Sequence, residues 1–396
     1  MPQHSRRNSS HKHAHAHGHG HAHAHPPRRN KSSDWTRWLI GLAVGIVFTW
    51  FSARSWPLDQ LFGGSLHLAR DSHDHLALML QSDANGPTTW SVGLWALAVY
   101  FSCLFIIHWL RVLRWKPLLQ PYADVSVAEL NRVGAVGFMA VFLLPLRLGE
   151  FARPYMLARP TTTSHGGVPF GAGLGAIAIE RVLDGLLVTG ILFAVLIQVP
   201  TATLQRYPAI QSGAWTAAIV FGTALTGLFL TVVAREFTLQ LTRKIVGSVS
   251  AKLAEKIIAL VTSFVDGLAV LKSPWYVAQF IGMTIVYWGV NGLGIWVMAR
   301  GFGLDIPIIA AYAMMSFLVV GMMIPNSPGN VGSFWYFLLI PAGLYGISDS
   351  APRTIAFGLG LWFAQTVQVA AFGVWGWVAD GRRQIRLQVA ANGHRQ

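Results

Sequence analysis

From Trp90 to Leu110 the chain carries no Asp, Glu, Lys or Arg. That is long enough for a helix to cross a hydrocarbon core, which takes about 20 apolar residues. Comparable apolar runs recur at about Trp35–Ala53, Ala214–Ala234, Tyr276–Ala299, Ile306–Ile324 and Thr354–Val378. Lipid offers no partner to a backbone N–H or C=O, so such runs are expected to be helices, which satisfy those groups internally. With 53% hydrophobic and only 12% charged residues, the chain does not read as soluble domains. The expected fold is all-α: a polytopic transmembrane helical bundle of about seven or eight spans, with two broken or re-entrant segments.

Against that background the charged residues inside apolar sequence stand out. LLPLRLGEFARP (Leu143 to Pro154) is answered by IERVLDG (Ile179 to Gly185). Ionisable groups at bilayer depth are costly, so they face a protein interior or a wet cavity and pair there. Arg147, Glu150 and Arg153 are spaced three apart, and on a helix they share one face. Pro154 makes Arg153 a helix boundary. Glu180 and Asp184, four apart, also share a face, where two like charges need a cation that Arg147 or Arg153 could supply. The bland alternative is a pair of proline kinks near the interface, with charges reaching out to water.

MIPNSPGNVGSFWYFLLIP (Met323 to Pro341) has the same form as the first charged segment: apolar run, proline, short polar stretch, glycine, apolar run. Proline removes an amide donor and glycine admits non-helical backbone. Unwound backbone at membrane depth survives only inside protein or beside a water-filled cavity. Paired interrupted segments in two halves of a chain point to transporter binding sites. A shorter apolar run at Val127–Leu144, interrupted by Arg132, precedes the first, and between the two lies the glycine-rich VPFGAGLGAIAI, which leads through Glu180, Arg181 and Asp184 to Val199. Small residues there let helices approach closely.

LPLRLGEFAR, IERVLDG and IPNSPGNVGSF, in that order, resemble the flippase-like membrane family named for the lysylphosphatidylglycerol synthase transmembrane region. The resemblance covers roughly Leu94 to Val378. It implies a polytopic inner-membrane protein that handles lipids or lipid-linked intermediates. Carried over motif by motif, it makes Arg147, Glu150, Arg153, Glu180, Arg181 and Asp184 candidate substrate-binding residues, joined by Asn326, Ser327, Gly329, Asn330 and Gly332. Members often carry a glutamate shortly after the last motif's final glycine; here Ser333, Phe334 and Trp335 follow. Only 18 residues follow Val378, so aminoacyl transfer by this chain alone is not expected.

The formal net charge of +14 gathers at the tails and in particular loops, so it points to topology and anionic headgroups rather than to nucleic acid. Lys and Arg place both termini, residues 111–126 and the loop Arg235–Pro274 in the cytoplasm, and the polar loop 54–89 outside. AEKIIALVTSFVDGLAVL in the basic loop has helical spacing and reads as an amphipathic helix at the interface. Three parts are expected: a disordered His-rich tail (1–34), a membrane domain (35–380) and a basic C-terminal tail (381–396). No cleavable signal peptide is expected, since the first apolar segment begins only near Trp35 and no small-residue cleavage site follows it. His13, His15, His17, His19, His21 and His23 are candidate ligands for weak zinc, nickel or copper binding, without fixed geometry; no other cofactor is expected. His73 to His75 reads as a solvated loop, and the single Cys103 cannot form an intrachain disulfide.

The expected function is non-enzymatic: binding and flipping of a phospholipid or lipid-linked intermediate, anionic or phosphate-bearing, through a polar cavity in the plasma membrane. Arginine suits that task because its planar fork donates paired hydrogen bonds to phosphate. No GxxxxGK[ST] signature is present. The alternatives are a membrane-embedded transferase with Glu150 or Asp184 as general base, and a scaffold for a lipid-modifying partner enzyme.

Overall fold

The computed structural model describes residues 31–393, apart from 55, 73, 83–85, 160–166, 248–250 and 324–326. The histidine tract and Asn326 therefore lie outside the described residues. After helix α1 (Lys31–Ala53) come three strands: β1 (Ser65–Arg70), β2 (Leu76–Gln81) and β3 (Thr88–Gly93). They pair as an antiparallel meander with β2 in the middle. This corrects two expectations, since the fold is not all-α and residues 54–89 are not a plain solvated loop. The physical cause is a set of six-residue runs, bounded by Asp/Ser/Asn/Gly-rich turns, that are too short to span and well suited to strands. Between β1 and β2 the His75 N–H donates to Asp71 Oδ1 at 2.9 Å and Asp74 takes a left-handed φ of 63°, while His73 lies outside the described residues. Trp90 belongs to β3 and donates its indole N–H to the Leu61 carbonyl at 3.1 Å. The second apolar helix, α2, therefore starts four residues later than expected, as Leu94–Leu113.

α3 (Val127–Leu143) is opened by Ser126, whose hydroxyl accepts the Glu129 N–H at 3.2 Å, and Pro145 at its end removes the donor that would continue it. A 3₁₀ turn over Pro145–Phe151 and the short α4 (Ala152–Leu157) follow, then the long α5 (Phe170–Leu196) and α6 (Pro208–Val233). The basic loop folds as α7 (Arg235–Gly247) and α8 (Ala251–Gly267). α8 packs on the glycine-rich face of α5. A Cβ on Gly171 would come within 2.7 Å of the Leu260 carbonyl oxygen, and one on Gly175 within 3.0 Å of Gly267. The sequence VPFGAGLGAIAI is thus a docking face for a second helix, the close approach its small residues predict.

The second half contains α9 (Pro274–Gly301), α10 (Ile308–Met322), α11 (Ser333–Leu339) and α12 (Pro352–Gly393). α9 packs along α2 and α12 along α3, while α10 lies against α5, α9 and α11. α12 runs on past Asp380, so residues 381–393 continue the last helix rather than forming a separate tail.

Among the described residues, four helical stretches are long and apolar enough to cross a membrane: Leu94–Leu119, Ile210–Val233, Pro274–Gly301 and Pro352–Arg383. α6 turns Trp215, Ile219, Val220 and Phe229 outward, an apolar surface that lipid covers at no cost. α5 has 27 residues, about 40 Å of helix, but carries Glu180, Arg181 and Asp184 near its centre. Glu180 and Asp184 are fully buried, facing the bundle interior rather than lipid.

Candidate functional site

The buried acids of α5 are held by a cation from the end of α2. The Arg114 guanidinium donates to both oxygens of Asp184, at 2.5 and 2.8 Å, and to Glu180 Oε1 at 2.8 Å. All three side chains are at most 1% exposed. Trp288 on α9 adds an indole N–H to Asp184 Oδ1 at 3.2 Å, and the guanidinium sits 4.5 Å from the centre of the Tyr287 ring. Such a fork on a carboxylate, closed off by aromatic rings, is strong because both charges are satisfied without water.

The first broken segment joins the same network. Arg153, at the start of α4, places Nη1 2.9 Å from Glu180 Oε2, an ion pair out of line for a hydrogen bond, and Nη2 3.5 Å from Glu150 Oε2. Its guanidinium lies over Trp115, 4.6 Å from the ring centre. Gly137 on α3 makes room for it, since a Cβ there would stand 2.2 Å from Arg153 Cγ. Arg147 donates to Glu150 Oε1 at 2.6 Å and to the carbonyl of Met322 at the end of α10. Arg181 bridges the two acids, 3.3 Å from Glu180 and 3.5 Å from Glu150. A 3₁₀ turn nearly eclipses residues three apart, so the spacing of Arg147, Glu150 and Arg153 brings them together. Arg147 itself is left-handed, with a φ of 57°. The chain is thus unwound where the charge enters, and the Met322 contact ties the first break to the second.

The second break is also non-helical: Gly329, Asn330 and Gly332 have φ values of 69°, 55° and 81°. Its polar groups are largely spent on the fold. The Gly329 carbonyl accepts the Trp362 indole N–H at 2.8 Å, and Ser327 donates to the Val331 carbonyl at 2.8 Å. A Cβ on Gly332 would meet the backbone of Thr49 on α1 at 2.4 Å. Of the described residues expected here, only Asn330 reaches the cavity; Ser327 lines the opposite face of the loop.

That cavity holds about 200 Å³. Arg111, Arg114, Arg147, Arg181 and Asp184 line it, together with Asn291, Asn330 and Gln365. Apolar walls from Phe138, Ile295, Leu318 and Phe334 complete it. On the other side of the 327–331 loop, α1 and Ser327, Pro328 and Val331 wall an apolar groove of about 990 Å³.

The structure therefore brings Arg147, Glu150, Arg153, Glu180, Arg181 and Asp184 into one network, with Arg114 at its centre. Sequence reasoning missed Arg111 and Arg114 because, just past an apolar span, they read as topology-setting charges that meet headgroups. Arg114 turns inward instead. The available signal was the like-charged pair Glu180 and Asp184, which demanded a cation, together with Arg111 and Arg114 three apart on one helix face. No group of three His, Cys, Asp or Glu placed to hold a metal occurs among the described residues.

Residues 77–373 match the family model described as the lysylphosphatidylglycerol synthase TM region, and the chain belongs to that family. It is 22% identical over 296 residues to glycosyltransferase AglD of Haloferax volcanii. The aligned segment is 66% of this chain and 45% of that protein, so the match spans less than half of the relative's length. No solved structure matches.

Proposed function

We propose that this protein translocates a phospholipid or lipid-linked intermediate by drawing its headgroup into the arginine-lined cavity while the tails stay in the apolar surroundings. One observation carries the reading: a polar cavity of about 200 Å³, walled by four arginines, lies in the interior of a bundle whose outer faces are apolar. A space of that size takes a headgroup and not a whole lipid. The adjoining groove along α1, about 990 Å³ and apolar, is where an acyl or isoprenyl chain would lie. The 327–331 loop stands between the two.

On this reading α1, α3, α5 and α10 add to the four long helices to give eight spans, with the two broken segments beside them. The protein sits in the inner (plasma) membrane with both termini in the cytoplasm. Support for that orientation comes from the basic character of the Arg235–Pro274 loop and of the C-terminal end.

The named activity of the archaeal relative favours weighing a second reading, a membrane-embedded transferase on a lipid carrier. Against it, Glu150 and Asp184 are each engaged by guanidinium N–H groups in ion pairs that hold the broken segment and α5 together, a positioning role rather than that of a general base. A scrambling assay tests the proposal: purified protein in liposomes, with labelled lipids of several headgroup types and loss of outer- or inner-leaflet label followed over time. Faster exchange of at least one phosphate-bearing lipid than in protein-free liposomes is the expected result. Equal rates for every lipid would sink it.

A further inference from the structure

Counting charge at the cavity gives an imbalance. The network contains five arginines (111, 114, 147, 153 and 181) and three carboxylates (Glu150, Glu180 and Asp184), which leaves two positive charges uncompensated. Of the groups that line the cavity itself, four are arginines and one is an acid. Arg111 accounts for much of the excess. Among the described residues no carboxylate lies within ion-pair distance of it, and its guanidinium is stacked 3.7 Å from the centre of the Phe138 ring. Stacking fixes the plane of the fork without using its in-plane N–H donors. Arg111 is thus a cation oriented, partly desolvated and left without an anion, beside Asn291, Asn330 and Gln365.

Leaving cations uncompensated inside a bundle is expensive, and an incoming anion removes the cost. We infer that the cavity is built for a headgroup carrying about two negative charges, a phosphomonoester or a diphosphate, with Arg111 as the residue that selects it. A zwitterionic headgroup leaves the excess in place. A phosphodiester with one charge relieves half of it. A headgroup bearing an esterified basic amino acid adds to it. The inference rests on the reading of the cavity as a headgroup site, and it adds the charge class that the site prefers.

Binding and movement are to be measured separately on the full chain in lipid nanodiscs and liposomes. Binding is read by competition against a fluorescent phosphatidic acid. The competitors are phosphatidic acid and an isoprenyl monophosphate, then phosphatidylglycerol and phosphatidylcholine, then inorganic phosphate and glycerol phosphate. The two lipid monoesters should compete about tenfold or more better than phosphatidylglycerol, and phosphatidylcholine least. Arg111→Gln should weaken phosphatidic acid binding about tenfold and leave phosphatidylglycerol within about threefold, while Arg111→Lys should recover part of the loss.

Equal competition by all four lipids would overturn the inference, as would an Arg111→Gln protein that folds and keeps its preference. Competition by glycerol phosphate as strong as by the lipids would keep the phosphate chemistry and overturn the lipid source. Selective binding of monoesters with no exchange in liposomes would count against translocation and for the charge class. Rapid exchange led by phosphatidylcholine would do the reverse.

Discussion

Two of the ion clusters among the described residues lie between the helices of the bundle and are built from the same residue types. One is the cavity network around Arg114. The other ties the start of α3 to the far part of α12: Arg132 pairs with Glu129 and Asp380, Arg383 with Glu129, and Arg159 with Asp380, the last at 3.2 Å. Every arginine in the second cluster has a carboxylate, and none of its members lines the cavity. Arg159 and Arg383 are about a third exposed, whereas Arg114, Glu180 and Asp184 are sealed. The second cluster therefore works as a clasp between helix ends, where water shares the cost of the charges. The first retains uncompensated positive charge facing a cavity. Buried charge alone does not mark a site; an unmatched charge that faces a cavity does.

The widest separation between the two should appear on removing the central cation of each. Arg114→Ala leaves Asp184 and Glu180 short of their main partner in a dry interior, at a cost of about 3–5 kcal/mol. Thermal unfolding in detergent should show that loss, and lipid exchange should disappear. Because a misfolded protein is also inactive, the Arg114→Ala, Asp184→Asn double variant is the sharper probe. It should regain part of the stability, by removing an uncompensated charge, without regaining exchange. Recovery of both would make the cavity network another clasp.

A smaller effect isolates chemistry from charge. Arg147 is partly exposed, and its fork holds Glu150 and the Met322 carbonyl together. Arg147→Lys keeps the charge but cannot span both partners. Losing one charge-assisted hydrogen bond corresponds to roughly 1.5–3 kcal/mol. Exchange should fall about tenfold or more, while the melting temperature should fall by less than in Arg114→Ala. Unchanged exchange would remove Arg147 from the headgroup's path.

The same contrast explains what could be read from the sequence. Apolar run lengths indicated the helices, and proline with glycine marked both breaks, where the structure has left-handed backbone at Arg147, Gly329, Asn330 and Gly332. Glu180 and Asp184 were legible because acids in an apolar helix have few explanations. Arg111 and Arg114 were not, because a cation after a span already has one. Which way a terminal arginine turns depends on the acid that waits across the bundle, and that is tertiary information. The sheet was hidden for a related reason: SLHLAR and LALMLQ are short runs within a polar region, and strand pairing becomes visible only when three such runs are laid side by side. Within the second break, Gly329 and Gly332 serve the fold through partners on distant helices, Trp362 and Thr49, while Ser327 closes the loop on its own Val331 carbonyl.

The smallest expected effects belong to the clasp. Arg132 faces two acids that are only slightly exposed, so Arg132→Ala should cost about 2 kcal/mol, between the values for surface and fully buried pairs. Arg159 meets Asp380 through a single contact near the surface, and a pair of that kind contributes at most about 1 kcal/mol. Arg159→Gln should accordingly leave the melting temperature almost unchanged, and its small effect should shrink further as salt rises, since exposed charges are screened. Headgroup preference in the competition assay should match that of the unsubstituted chain, because Arg159 contributes nothing to the cavity's excess charge. A changed preference in Arg159→Gln would mean that the two clusters are coupled through α3, whose first turn carries Glu129 and Arg132 and whose later residues, Gly137 and Phe138, bed Arg153 and Arg111. Comparing Arg159→Gln with Arg132→Ala separates the cases: coupling through α3 predicts the larger shift for Arg132→Ala, and independence predicts none for either.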